Sequence, residues 1–285
     1  MNRSNIVSHA VQANLKTLAN VKNTIAIASG KGGVGKSTVA VNLALALSSL
    51  GTRVGLLDAD IYGPSQGMML GIAERPIVQD KKMKPIEKYG IQSMSMAYLV
   101  EESTPMVWRG PMVSMALQQM LNDTLWDDLD FLIIDLPPGT GDIQLTLVQK
   151  IPLTAAIIVT TPQDIALLDA TRAIEMFAKV RVPVLGVIEN MSYHLCDACG
   201  HQDFLFGEGG GERIAKRYKV SLLGKVPLLR EIREHVDAGQ PSVAINKESE
   251  VSQVFHRIAQ TVMDTLSLQS KDYTSKFPKI IIDDK

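Results

Sequence analysis

Only two cysteines, Cys196 and Cys199, occur in the 285 residues, and they are too close together to staple distant parts of a chain. A disulfide-framework fold is therefore excluded, and the scarcity of cysteine fits a reducing compartment, with the cytoplasm as the default. Long apolar runs are also missing. The longest, around "VAVNLALALSSL", is interrupted by Asn42 and two serines and falls short of the roughly 20 residues of a membrane span, so no membrane segment is expected. Neither sign of charge dominates: 29 Lys and Arg stand against 30 Asp and Glu. This balance excludes a generally basic surface and with it bulk nucleic-acid binding. Internal repeats, low-complexity stretches and linkers are absent as well, which favours one domain.

What remains is a strongly apolar globule, 46% hydrophobic and 21% charged. Apolar runs of strand length recur along it: "NTIAIAS", "RVGLLDAD", "LDFLIIDLPPG", "TAAIIVTTP", "VPVLGVIEN" and "VSLLGKVP". Continuous rather than alternating apolar character marks strands covered on both faces. Between them lie helical stretches: Ser37–Leu50, buried and stopped at Gly51, then Ala166–Val180 and Gly209–Tyr218. The expected fold is α/β, a doubly wound and mainly parallel sheet with helices on both faces, over residues 23–270. Residues 1–22 are expected as a tail or short helix, since their lack of acids faintly resembles a targeting segment but they hold a single arginine. Residues 271–285 are expected as a C-terminal tail. The stretch Gly71–Pro111 breaks the alternation and reads as an insertion over the active-site edge.

Between the first strand and the first helix runs "ASGKGGVGKST", with four glycines and two lysines. Residues 30–37 satisfy G-x-x-x-x-G-K-[ST] in the strand–loop–helix context that gives the pattern its value. The loop Gly30, Lys31, Gly32, Gly33, Val34, Gly35, Lys36, Ser37 and Thr38 can wrap a polyphosphate with backbone N–H groups. Lys36 neutralises the terminal phosphates, and the Ser37 hydroxyl ligates Mg²⁺. ATP with Mg²⁺ is the expected ligand. Asp135 ends a neighbouring strand, where such enzymes keep a carboxylate for the metal shell, and Gly139 beyond it can bring an N–H near a γ-phosphate. Asp58 and Asp60 end another strand; one can orient an attacking water and the other support the metal. Asp142 reads as a helix cap as readily as a functional residue.

"YHLCDACGHQDF" holds the cysteine pair, flanked by His194 and His201. A lone CxxC admits several chemistries. Redox exchange needs a thiolate at a helix N-terminus, whereas the glycine after Cys199 points to a turn or knuckle. Zinc needs four ligands, which His194, Cys196, Cys199 and His201 can offer only at tighter spacing than usual. Plain buried thiols are a third reading. A fourth rests on stoichiometry: a [4Fe-4S] cluster takes four thiolates, which chains with two cysteines supply only as a dimer.

The strings "SGKGGVGKST", "LLDADIYGPS", "MVWRGPM", "DLPPGTGDIQLTL", "TTPQDIALLD", "ENMSY" and "FGEGGGE" resemble those of the Mrp/ApbC iron-sulfur cluster carrier ATPases, a branch of the MinD/ParA-like NTPases with a deviant Walker A loop. The resemblance runs from about Val21 to Ser270. It implies a homodimer in which Lys31 reaches the partner's phosphates, Asp60 positions the hydrolytic water and Asn190 reads the adenine edge. It also implies a labile 4Fe-4S cluster bridging the two CxxC pairs, received from upstream cluster donors and passed to apo iron-sulfur client proteins. Slow ATP hydrolysis would act as a conformational switch. Many members carry a further small α/β domain before the ATPase, where about twenty residues stand here. The competing class is a spatial organiser of the MinD or ParA type. It would want a membrane or DNA anchor and has no use for the cysteines, and "DYTSKFPKIIIDDK" lacks a basic amphipathic helix.

Weaker signals remain. Nine of the 13 methionines fall between Met68 and Met120 and are expected mainly as core packing. Trp108 and Arg109 are candidates for an interface, and Arg230–Gly239 reads as a charged, solvated helix.

Overall fold

The computed structural model describes residues 6–13, 15–99, 110–196 and 198–271. Strand β1 (Val21–Ala28) leads through the glycine-rich loop into helix α1 (Lys36–Ser49), and β2 (Val54–Asp58) follows. Helix α2 (Gln66–Leu70) precedes two hairpins, β3 (Val78–Gln79) with β4 (Lys82–Met83) and β5 (Ile86–Lys88) with β6 (Ile91–Ser95). Next come α3 (Gly110–Asp123), β7 (Leu129–Asp135), α4 (Asp142–Lys150), β8 (Ala155–Thr160), α5 (Asp164–Lys179) and β9 (Val184–Glu189). A small hairpin, β10 (His194–Leu195) with β11 (Gln202–Asp203), leads to α6 (Gly210–Tyr218) and β12 (Ser221–Lys225). Helices α7 (Arg230–Asp237), α8 (Ser242–Ile245) and α9 (Glu250–Ser267) complete the described chain.

Eight strands form one sheet in the order β12-β9-β8-β1-β7-β2-β6-β5, parallel except for the β5 edge. Alternate strand residues feed two cores. Ala26 and Ala28 face one with α3 to α6, whereas Ile25 and Ile27 face the other with α1 and α7 to α9. That double coverage is why the strands are apolar throughout. β1 pairs with β7 on one side and β8 on the other, so the loop after it opens at the carboxyl ends of three adjacent strands. In open parallel sheets that is where ligands bind.

The structure corrects three expectations. The described part of the stretch read as an insertion, residues 71–99, joins the sheet: β6 extends the parallel sheet beside β2, and β5 closes its edge through a turn at Tyr89 and Gly90 with φ of 50° and 78°. Residues 6–13 and 15–20 form no helix and are not loose. His9 is buried with Nδ1 2.9 Å from Asn23 Oδ1, and Gln12 donates to the Val148 and Ile151 carbonyls while accepting from the Leu153 N–H. The methionines divide: Met83, Met94, Met96 and Met120 are buried, but Met112 and Met115 are exposed beside a groove of about 880 Å³ between β3–β4 and α3. The helix read at 230–239 runs Arg230–Asp237 and is charged and mostly exposed as expected. Trp108 and Arg109 lie outside the described residues, as do 272–285.

Candidate nucleotide site and cysteine knuckle

The glycine-rich loop adopts a conformation that the residue types require. Gly33 and Gly35 have φ of 81° and 76°, the left-handed region that only glycine enters without strain. Gly35 is also the residue before α1, and a Cβ there would lie 2.2 Å from Asn190 Nδ2. Asn190, at the end of β9, reaches into the loop and donates from Nδ2 to the Val34 carbonyl at 2.9 Å. Thus Asn190 braces the loop, and only its Oδ1 and second amide hydrogen remain for a base. Gly30 packs against the backbone of Asp169 in α5. A hollow of about 250 Å³ is bounded by Lys31 to Thr38 together with Asp60, Ser65, Met69 and Pro138.

Asp58 and Asp135 stand opposite each other at the ends of β2 and β7 because those strands are in register. Asp135 is fully buried and pairs with the almost fully buried Lys36, Nζ to Oδ1, at 2.5 Å. The same ammonium lies 3.2 Å from Ser37 Oγ. Ser37 and Asp135 therefore already turn their oxygens toward one cation. Hard oxygen donors converging in this way fit Mg²⁺, which takes few protein ligands and completes its shell with phosphate and water.

Asp58 is buried and accepts four hydrogen bonds: from the Asp60 N–H on Oδ1, and from the Ser65 N–H, the Gln66 N–H and Ser95 Oγ on Oδ2. Burial, and then the charge of Asp135, push its pKa up to about 7 against the pull of the Gln66 N–H, Lys36 and the Asp60 N–H. These hydrogen bonds hold the turn that carries Asp60 and α2. Asp60 is the carboxylate that borders the hollow, and burial raises its pKa as well, with Lys36 opposing. Lys31 is half-buried at the rim; its carbonyl accepts from Ser29 Oγ at 2.8 Å. The Gly139 N–H is donated to the Ser29 carbonyl at 2.9 Å, so approach to a γ-phosphate requires that bond to open. Asp142 is the first residue of α4, placing its charge at the helix N-terminus.

Two residues that the sequence reading passed over complete the region. Gln66, fully buried, donates from Nε2 to both Asp135 Oδ2 (2.8 Å) and the Ser37 carbonyl (3.0 Å). Glu189, also fully buried, accepts from Ser192 Oγ and from the Gly211 N–H, tying the β9 end to α6. An acid closing an apolar strand is the signal that could have found Glu189. Gln66 had none.

The cysteines sit where β10 turns into β11, in a knuckle rather than at a helix start. The Cys196 N–H donates to the His201 carbonyl at 2.9 Å and the Gly200 N–H to the Cys196 carbonyl at 2.8 Å. Gly200 has φ 69°, Cys199 is exposed and Cys196 half-buried, and neither forms a disulfide. Among the described residues no group of three or more His, Cys, Asp or Glu could hold a metal ion, which leaves the four-ligand zinc arrangement within one chain without support.

A family model described as ParA: NUBPL iron-transfer P-loop NTPase matches residues 20–263. The iron-sulfur cluster carrier protein of Pseudomonas fragi is 59% identical over 259 residues, which are 90% of each chain. The protein of the same description from Escherichia coli K12 is 54% identical, over 93% of this chain and 74% of its own. A mitochondrial iron-sulfur protein required for NADH dehydrogenase, from Arabidopsis thaliana, is 51% identical over 87% and 80%. Among solved structures, a nucleotide-binding protein from Archaeoglobus fulgidus in complex with ADP superposes with a TM-score of 0.71 at 34% identity, covering 83% of this chain and 93% of that one. The cell division ATPase MinD of Pyrococcus furiosus shares the fold, with a TM-score of 0.63 at 22% identity over 85% and 98%. A phosphate loop, convergent carboxylates and a family match over most of its length together establish that this chain belongs to the ParA/NUBPL family of iron-transfer P-loop NTPases.

Proposed function

We propose that this protein is a cytoplasmic, homodimeric, Mg·ATP-dependent carrier of iron-sulfur clusters. It would receive a labile 4Fe-4S cluster from upstream donors, hold it between the CxxC pairs of two subunits, and release it to apo-proteins. The observation that carries the reading is an exposed knuckle with two thiols on a chain that has no other cysteine. Two ligands from each subunit give the four a cluster takes, and a site split between subunits can let its cargo go.

In the nucleotide site, Lys36 would exchange Asp135 for bound phosphates, and Ser37 and Asp135 would hold Mg²⁺. The metal supplies charge neutralisation at the phosphates. Asp60 is assigned to the attacking water, and Lys31 to the phosphates of the partner subunit, where a cation supplied from a second chain stabilises developing charge. Hydrolysis is slow and switch-like in this reading, since its use is to open and close the dimer rather than to turn over substrate. A spatial-organiser role is disfavoured by the cysteine knuckle.

Anaerobic reconstitution tests the proposal. It should give about four irons per dimer, with none retained by Cys196→Ala. Transfer to a generic apo-acceptor should differ between ATP, a non-hydrolysable analogue and no nucleotide. Zinc held at one per monomer would overturn the cluster reading, and transfer indifferent to nucleotide would leave the ATPase without a role in it.

A further inference from the structure

Gln66 touches both Asp135 and the backbone of the phosphate loop's serine, and no role in the nucleotide chemistry above uses it. Its Nε2 hydrogens go to Asp135 Oδ2 at 2.8 Å and to the Ser37 carbonyl at 3.0 Å, while its own backbone N–H goes to Asp58 Oδ2 at 3.0 Å. One residue therefore ties together the ends of β2 and β7 and the start of α1. The amide orientation is fixed by its surroundings: turned over, it would set Oε1 against a carboxylate and a carbonyl, both acceptors. Among the described residues, the arrangement leaves Oε1 buried with no hydrogen-bond partner. Leaving a buried acceptor unpaired is unfavourable, so the contacts made by Nε2 must repay it.

We infer that Gln66 is a positioning residue for the divalent cation. It binds one oxygen of Asp135 so that the other, Oδ1, is presented toward Lys36 and Ser37 and is the oxygen open to the metal's shell once Lys36 moves to phosphate. Partners that orient a metal-serving carboxylate commonly matter as much as the carboxylate, with losses of roughly 10- to 100-fold in metal affinity on their removal. A neutral donor suits the task. A cation at position 66 would compete with the metal, and a second carboxylate would repel Asp135 next to the already burdened Asp58. Because Gln66 opens α2, it also makes the placement of that helix depend on the state of Asp135.

This inference rests on the Mg-nucleotide reading, and one titration separates the two. Binding of a fluorescent ADP analogue is measured in EDTA and across a Mg²⁺ series for the wild type, Gln66→Leu and Gln66→Asn; the second variant keeps a buried amide but is one methylene too short to span both acceptors. The wild type should bind more tightly with Mg²⁺; if it does not, the Mg-nucleotide reading itself fails. Both variants should keep the EDTA affinity and need at least tenfold more Mg²⁺ for half-maximal enhancement, with Gln66→Leu the more affected. A wild-type Mg²⁺ midpoint in either folded variant overturns the inference. So does an equal loss in EDTA and in Mg²⁺, because Gln66 would then shape the loop rather than the metal's carboxylate.

Discussion

Three glycines of the phosphate loop should respond to alanine in three different ways. Gly32 has no positive φ, and its nearest neighbour to an added Cβ is Pro138 at 4.0 Å, so Gly32→Ala should be nearly neutral for stability. Gly33 has φ 81° and open space around it, so Gly33→Ala carries backbone strain alone, about 1–2 kcal/mol. Gly35 combines φ 76° with a Cβ position 2.2 Å from Asn190 Nδ2. The amide must move away and abandon the Val34 carbonyl, adding a lost hydrogen bond and a buried acceptor without its partner, roughly 1–3 kcal/mol more. The expected order is therefore Gly32 near zero, Gly33 about 1–2 and Gly35 about 2–5 kcal/mol, read from urea unfolding with unchanged m-values. A double-mutant cycle isolates the second component. In an Asn190→Ala background the Gly35→Ala loss should shrink to the strain seen at Gly33. Equal losses at Gly33 and Gly35, or a Gly35 loss that ignores the Asn190 background, would refute the assignment of Asn190 as the brace of the loop.

Lys36→Met strands Asp135 as a buried carboxylate and should cost about 3 kcal/mol or more in urea unfolding, much of it recovered when Asp135→Asn is added. Lys31→Ala should leave stability within about 0.5 kcal/mol yet reduce ATP-dependent dimerisation in sedimentation and lower turnover; unchanged dimerisation would remove the trans role. Asp58 gives a pH prediction. Folded, it keeps its proton to about pH 7, whereas an unfolded aspartate loses it near 3.8, so between those values the folded state binds more protons. Its contribution thus favours folding at low pH and is lost as pH rises toward 7. Unfolding free energies between pH 5 and 8 should fall more steeply for the wild type than for Asp58→Asn.

The inner strands were legible because a strand covered on both faces must be apolar at every position, a pattern few other elements share. β6 was not. Its buried Ser93 and Ser95 face inward with their hydroxyls spent on Tyr98 and Asp58, so a core strand reads as polar. The turn into it uses Tyr89-Gly90 rather than the usual Asn-Gly signal. The N-terminal segment hid for a similar reason: it is fixed by His9 and Gln12 through hydrogen bonds, which leave no periodicity. Within the site, Asp58, Asp60 and Asp135 stood out as acids closing apolar runs, but their division of labour did not. That Asp58 is occupied by three backbone N–H groups and a hydroxyl depends on how residues 60–66 fold back, and no local pattern encodes it. Gln66 carries no such signal, because a glutamine at the start of a short helix is ordinary until its two acceptors are brought to it.

Under the proposed Mg·ATP reading, the short contact between Lys36 and Asp135 would make ligand capture an act of ion exchange. The loop's strongest positive charge is matched by an anion of the protein's own, so a phosphate does not fall into a cationic well; it must displace a carboxylate. A lone anion gains little by that trade, because it leaves Asp135 buried and uncompensated. A phosphate arriving with a divalent cation satisfies both members of the divorced pair at once. If the proposed Mg·ATP reading holds, that one salt bridge would favour metal-bearing nucleotides over free phosphate before any base is read.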